Sequence, residues 1–145
     1  SHGSKIKGCA DDCVRGSMNL GIVKISSECC NTDKCNVQDA PDPSLIPNGK
    51  MCYSCDGQNC SNILRCSGSE DRCIKATGQS DAVKGCVSQS ICDDTKTISI
   101  PYVQSISCCE GNLCNGAKSV TQSVLFLFIL VLLESVSSLL YGRGR

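Results

Sequence analysis

The chain has 145 residues, of which 15 are cysteines, and its 14 basic residues balance its 14 acidic residues. Cysteine at this density is typical of small extracellular domains, because disulfides form in the secretory lumen and outside the cell. Large apolar side chains are scarce, with no Trp and only two Phe, so a large hydrophobic core is excluded. The balanced charge argues against a protein that binds nucleic acid through a basic surface.

An internal repeat sets the domain organisation. Residues 8–36 and 85–115 share a Gly-Cys, a second Cys, a long gap and a closing Cys-Cys-x4-Cys-Asn, and five further cysteines precede only the second copy. The first seven residues are polar and carry no apolar stretch of the signal-peptide type. We therefore expect residues 1–36 to be the C-terminal remnant of a first domain in a fragment of a longer protein, and residues 51–115 to be a complete ten-cysteine domain.

Between the two copies, residues 37–50 hold three of the four prolines. Proline fixes φ and resists helix and central strand, so this segment is predicted to be a semi-rigid extended linker. The alternative is a surface loop within one domain. We favour the linker because the repeat restarts directly after it.

The complete domain is predicted to consist of short strands. Polar and apolar residues alternate over 72–76, 82–84 and 105–108, and residues 77–81 indicate a hairpin turn between the first two segments. No segment before residue 124 shows a helical apolar stripe, so no helix is expected there.

The cysteine spacing of this domain opens with Cys52-x2-Cys55 and closes with Cys108-Cys109-x4-Cys114-Asn115. It resembles the family that unites lymphocyte antigen-6 proteins, the urokinase plasminogen activator receptor and the snake three-finger toxins. The resemblance implies an all-β fold of small disulfide-rich three-finger (snake-toxin-like) domains. Three fingers would span residues 52–66, 73–86 and 92–108, and Asn115 would hydrogen-bond backbone inside the knot.

Ten cysteines allow many pairings, and spacing alone does not choose among them. The resemblance implies the disulfides Cys52–Cys73, Cys55–Cys60, Cys66–Cys86, Cys92–Cys108 and Cys109–Cys114 in the complete domain, and Cys13–Cys29 and Cys30–Cys35 in the remnant. Cys9 would then be unpaired, because the half that holds its partner is missing.

The C-terminal tail, residues 116–145, contains ten consecutive apolar residues at 124–133 followed by Glu134. Ten helical residues rise only ~15 Å, half of the ~30 Å hydrocarbon core. The pattern favours a glycolipid (GPI) anchor signal, with Asn115, Gly116 or Ala117 as the attachment residue. The alternative is a single-pass helix with a positive end at Arg143 and Arg145, which would place Glu134 in lipid.

Other candidate sites are few. Asn59-Cys60-Ser61 is a sequon for N-glycosylation. Cys52 and Cys55 could form half of a zinc site, but metal sites usually need four ligands and the only histidine is His2. Nucleophilic catalysis would also need a histidine near a Ser or Cys, so we assign no catalytic residue, metal or cofactor.

These observations lead to a functional hypothesis. The chain is expected to be a GPI-anchored three-finger receptor or co-receptor on the extracellular face of the cell membrane. It would bind an extracellular protein, with no nucleic-acid partner and no enzymatic activity. The alternative is a secreted two-module inhibitor or toxin-like modulator, similar to phospholipase inhibitors.

Overall fold

The computed structural model describes residues 3–57, 59–79, 81–97, 103–116 and 129–133. Within these ranges the strands and the principal helix follow one another as short elements. Their bounds are β1 Gly16–Asn19, β2 Lys24–Ser27, β3 Pro47–Ser54, β4 Asn62–Ser67, β5 Arg72–Thr77, β6 Ala82–Val87, α1 Gln89–Thr97 and β7 Ser105–Cys109. The predicted all-β, disulfide-rich fold class is confirmed.

Three fingers project from the disulfide-rich part of residues 51–115. This whole domain is called the second copy, and residues 1–36 are called the first copy. Finger one is the β3–β4 hairpin, finger two is the β5–β6 hairpin, and finger three is formed by α1 and β7. The predicted turn of finger two lies between β5 and β6, where the amide of Gly78 donates to the carbonyl of Asp81 at 2.8 Å. β7 then pairs with β5, so fingers two and three share a sheet.

This sheet continues into the first repeat copy. Its strand order is β2-β1-β6-β5-β7, and β1 joins β6 through the antiparallel pairs Met18–Val87 and Asn19–Cys86. The two backbones approach closely at Gly85, where an added Cβ would lie 2.1 Å from the carbonyl oxygen of Asn19. The first copy therefore lies directly on the edge of finger two.

The predicted linker is shorter than expected. Residues 37–46 form no regular element and are almost all exposed, but β3 already begins at Pro47. Proline is tolerated there because it is the first residue of its strand and need not donate to a neighbour. The last four residues of the predicted linker thus belong to finger one.

Helix α1 shows that the expectation of no helix before residue 124 was wrong. Its first amide, that of Gln89, is capped by the carboxylate of Asp71 at 2.9 Å, across 18 residues of sequence. Its inward side chains, Ile91 and Cys92, pack in a core that other elements supply. Both stabilising features are non-local, so the nine-residue segment carries no clear helical pattern of its own.

Two small cores lie on opposite faces of the larger sheet. One consists of four fully buried half-cystines, Cys52, Cys66, Cys73 and Cys86. The other is apolar and is built on Ile74, Val87 and Cys92, with Met18, Leu20, Ile91, Ile106 and Cys108 against it. Successive strand residues point to opposite faces, which is why Cys86 and its neighbour Val87 serve different cores.

The predicted anchor signal lies mainly outside the described residues. Gly116 is described, and residues 129–133 are helical and exposed, whereas Ala117 and Glu134 fall outside. Among the described residues, no helix is both long and apolar enough to cross a membrane.

Candidate ligand-binding surface

Seven disulfides hold the fingers in place. The bonded pairs are Cys13–Cys29, Cys30–Cys35, Cys52–Cys73, Cys55–Cys60, Cys66–Cys86, Cys92–Cys108 and Cys109–Cys114, the same pairs that the family resemblance implies. Cys9 is a free, exposed thiol. The bridges provide the rigidity that a large core would provide in a bigger domain, since closing a loop of about 20 residues contributes ~3 kcal/mol.

The zinc interpretation of the cysteines does not fit this arrangement. The sulfurs of Cys52, Cys66 and Cys86 lie within 4.8 Å of one another. Cys52 is bonded to Cys73, and Cys66 is bonded to Cys86, so the cluster is the crossing point of two bridges. A sulfur in a disulfide is not a thiolate, which is the form of cysteine that binds a metal.

Asn115 ties the end of the domain to two fingers. Its Oδ1 accepts from the amide of Tyr53 at 2.8 Å, and its Nδ2 donates to the carbonyls of Tyr53 at 2.9 Å and Ile74 at 3.0 Å. The side chain is buried. Asn36, its counterpart in the first copy, is exposed and donates only to the carbonyl of Gly8 at 3.5 Å.

Two of the three candidate attachment residues, Asn115 and Gly116, are described, and they lie at the C-terminal end of the folded domain. Asn115 is held inside the knot. The amide of Gly116 donates to the carbonyl of Leu113 at 3.3 Å, and a Cβ on Gly116 would come within 3.1 Å of the Tyr53 ring. Ala117 lies outside the described residues.

The sequon residue Asn59 is exposed in the loop that connects β3 and β4. Its Oδ1 accepts from the amide of Ser61 at 3.1 Å and from the Ser61 hydroxyl at 2.5 Å. Its neighbour Cys60 is bonded to Cys55, so the site lies next to a short covalent loop.

A buried carboxylate that sequence reasoning missed joins the two repeat copies. Glu70 is fully buried and accepts from the Ser17 hydroxyl at 2.5 Å, from the Ser67 amide at 3.1 Å and from the Lys24 ammonium at 3.2 Å. Ser17 and Lys24 belong to the first copy, whereas Glu70 and Ser67 belong to the second. In sequence, Glu70 beside Asp71 looks like ordinary surface charge.

The contact between the two copies around Glu70, Ser17 and Lys24 is called the seam. A polar cleft of about 480 Å³ lies along it. Ser17, Ser69 and Ser88 are among the hydroxyl side chains that line it. Its charged groups are engaged within the chain, because Arg15 pairs with Glu28 at 3.0 Å and Asp71 caps α1. The groups that line the cleft therefore serve largely to hold the two copies together.

The outward faces of the fingers carry exposed apolar side chains. Ile63 on finger one is 60% exposed, and Val83 on finger two is 42% exposed. On the β1–β2 hairpin, Ile22 is 83% exposed and Ile25 is 50% exposed. Because the knot and the two cores lie elsewhere, these side chains are available for contact with another protein.

The disulfide pattern and the fingers agree with comparisons to known proteins. The family model described as "Snake toxin and toxin-like protein" matches residues 2–36 and 51–115. The chain belongs to this family. The three-finger family resemblance is thereby confirmed, and both repeat copies fall within the matched ranges.

Individual relatives include surface receptors and a xenoxin. The chain is 32% identical over 135 residues to the urokinase plasminogen activator surface receptor of Bos taurus, covering 74% of this chain and 41% of the receptor. The corresponding protein of Mus musculus is 37% identical over 106 residues, covering 61% of this chain and 32% of the receptor. Xenoxin-2 of Xenopus laevis is 30% identical over 65 residues, which are 45% of this chain and 97% of the xenoxin. The matched part of the chain thus spans 32% to 41% of the length of these receptors.

Proposed function

We propose that this chain is part of a GPI-anchored three-finger receptor or co-receptor on the outer face of the cell membrane, and that it binds an extracellular protein through its fingers. The observation that carries the proposal is the exposure of Ile63, Val83 and the β1–β2 hairpin on a scaffold fixed by disulfides. Binding surfaces occur most often on loops held by a rigid scaffold, and Ile63 and Val83 lie next to the loops that precede their strands, while Ile22 lies in the loop between β1 and β2. Relatives that are surface receptors by name support a protein ligand.

The domain division belongs to the same proposal. Residues 1–36 are the C-terminal remnant of a first three-finger domain, residues 37–46 connect it to the complete domain of residues 47–115, and residues 116–145 carry the anchor signal. Asn115, Gly116 and Ala117 are the candidate attachment residues, and Asn59 is the candidate glycosylation site.

The proposal assigns no enzymatic activity. Near the middle of the molecule, the buried acid Glu70 is engaged by Ser17, Ser67 and Lys24 in a structural role. The neighbouring Asp71 caps a helix. The cysteines, apart from Cys9, are consumed in bridges, so none of the bridged ones serves as a nucleophile.

A secreted toxin-like modulator is the second candidate. The match to Xenoxin-2 favours it, because that match covers 97% of the xenoxin and 45% of this chain. The two candidates differ in the role of the segment after Asn115, since a soluble modulator needs no apolar tail.

Anchoring is tested by phosphatidylinositol-specific phospholipase C on intact cells that express the full chain fused behind a secretory signal peptide. We expect release into the medium, and we expect Leu127→Asp together with Leu130→Asp to abolish surface display, because an anchor signal is read by its hydrophobicity. Glu134→Gln is the matched control and should be displayed normally. Retention after treatment, with residues 143–145 detected in the mature chain, would establish a membrane-spanning helix instead.

Binding is tested on the same cells with a library of purified extracellular proteins. We expect the displayed chain to capture a library member, and Ile63→Asp to reduce capture at least tenfold, roughly the loss of one buried apolar contact. Val37→Asp, at a position between the two copies that is 72% exposed, is the control and should leave capture unchanged. Equal capture by all three chains would argue against the fingers as the binding surface.

A further inference from the structure

We propose that Lys84, Lys75 and Tyr53 form a site for one carboxylate of the protein ligand, an Asp or Glu side chain that enters between fingers one and two. The inference rests on the proposed function only in taking the carboxylate to belong to a protein. The site itself stands on the burial, register and partners of the two lysines.

Lys84 lies in β6 and is buried to an unusual degree for a lysine, with only 6% of its surface exposed. Its ammonium lies 6.0 Å from the centroid of the Tyr53 ring of finger one. An aromatic face attracts a cation weakly at this distance. The ring therefore guides the ammonium into the space between the two fingers without neutralising its charge.

A second positive charge lies on the same face. Lys75 in β5 is the direct cross-strand partner of Lys84, and opposite residues in an antiparallel pair project side chains to the same side, about 5 Å apart at Cβ. Like charges in this arrangement repel. Burial, and to a smaller extent Lys75, hold the pKa of Lys84 below its ordinary value.

Neither ammonium has a hydrogen-bond or ion-pair partner among the described residues. By contrast, Lys5, Lys7, Arg15, Lys24 and Arg72 each form an ion pair. Within the described part of the chain, every fully buried side-chain nitrogen or oxygen has a hydrogen-bond partner. The Nζ of Lys84 has none, so it must still reach solvent, and it is open to an incoming acceptor.

The surroundings select a single carboxylate rather than a polyanion. Along this face the cross-strand neighbours of the pair are uncharged: Ser107 is the β7 partner of Lys75, and Thr77 lies two residues further along β5. A sulfated glycan needs a row of cations, whereas one carboxylate can accept charge-assisted hydrogen bonds from two ammonium groups. The Tyr53 ring offers an apolar surface to the methylene groups of the ligand's Asp or Glu side chain.

The test is an NMR titration of the full chain, refolded in non-ionic micelles and isotopically labelled on lysine. The probe is N-acetyl-glutamate N-methylamide, and N-acetyl-glutamine N-methylamide is its uncharged match. We expect saturable shifts of the Lys75 and Lys84 signals with the glutamate probe alone. Lys75→Gln should weaken that binding roughly tenfold, the loss of one charged hydrogen bond. Lys34→Gln, at an exposed lysine, should leave it unchanged.

Lys84→Met should abolish the binding, and its amide spectrum will show whether the variant is folded. If it is not folded, Lys75→Gln carries the test. Uniform shifts of all lysines, or no shifts, would overturn the site. Tighter binding of a heparin fragment at the same signals would overturn the assignment to a protein carboxylate. If cells that display the chain capture a protein but the chain does not bind the glutamate probe, this site is refuted and the receptor function stands. If the chain binds the probe but captures no protein, the site stands and the receptor function is refuted.

Discussion

Asn115 and Asn36 each end a Cys-Cys-x4-Cys-Asn motif, but their surroundings differ. Asn115 is 3% exposed and bonds fingers one and two, whereas Asn36 is exposed and has one long contact to Gly8. The role of such an asparagine comes from the strands that surround it: Asn115 bonds residues of β3 and β5, whereas the contact of Asn36, Gly8, lies outside the strands.

Replacement of Asn115 by Ala should therefore destabilise the complete domain. Three hydrogen bonds to backbone are lost, and at ~1 kcal/mol each the free energy of unfolding should fall by about 2–3 kcal/mol. Denaturant titration with the disulfides intact measures the change. Asn36→Ala is the internal control and should cost less than about 0.5 kcal/mol; similar losses for both variants would contradict the structural role.

The sequence predicted some of the structurally important residues and missed others. The family pattern pointed to Asn115 and to every bonded cysteine. It did not point to Glu70 or Lys84, because an isolated charged residue resembles solvated surface. The sequence predicted strands on both sides of the turn at residues 77–81, but it did not predict the register that pairs Lys75 with Lys84, nor that finger one would cover Lys84.

Among the elements, β6 makes the contact that joins the two repeat copies. It pairs with β5 within finger two and with β1 of the first copy. The pairing with β1 needs a glycine at position 85, because a Cβ there would collide with the Asn19 carbonyl. Strands β5, β6 and β7 could be predicted from local alternation. Helix α1 and the β1–β6 pairing could not, since a distant cap and a close backbone approach leave no local pattern.

Gly85→Ala should loosen the first copy without unfolding finger two. A Cβ at 2.1 Å from the Asn19 carbonyl forces the strands apart, and strain of this kind typically costs about 1–3 kcal/mol. Hydrogen exchange should accelerate at the Ser88 amide, which donates to Ser17 of β1 at 2.8 Å, while the β5–β6 amides stay protected. Gly111→Ala, where the new Cβ meets only an ordinary 3.9 Å contact, is the control. Unchanged exchange at Ser88 would show that β1 tolerates the added methyl.

The molecule as a whole is held together at the seam by the buried group around Glu70. Its carboxylate is the one place where a fully buried charge of the second copy meets a cation of the first within the described residues, and Lys24 also donates to the Ser44 carbonyl at 2.6 Å between the copies. Lys24, a residue of the larger sheet, thus contacts both the buried carboxylate and the segment that connects the two copies.

Glu70→Ala should reduce the free energy of unfolding by about 3 kcal/mol, because it leaves the Lys24 ammonium partly buried without its carboxylate. Adding Lys24→Met should restore part of the loss, since no uncompensated charge then remains. The control is Glu110→Ala, whose carboxylate is 81% exposed and lies 3.9 Å from Arg72, and it should be nearly neutral. Denaturant midpoints at constant slope provide the measurement, and a Glu70→Ala midpoint equal to that of the control would contradict the role of the seam.

In the described part of the chain, all seven disulfides lie within one repeat copy or the other, and none crosses between residues 1–36 and 51–115. Among the described residues, the copies are thus connected covalently only through the largely exposed segment 37–46. A single proteolytic cut there would turn an intramolecular contact into a bimolecular one, with the loss of an effective concentration in the millimolar range. The N-terminal piece would then leave or stay according to its own dissociation constant, and its departure would expose the β6 edge of finger two for another strand.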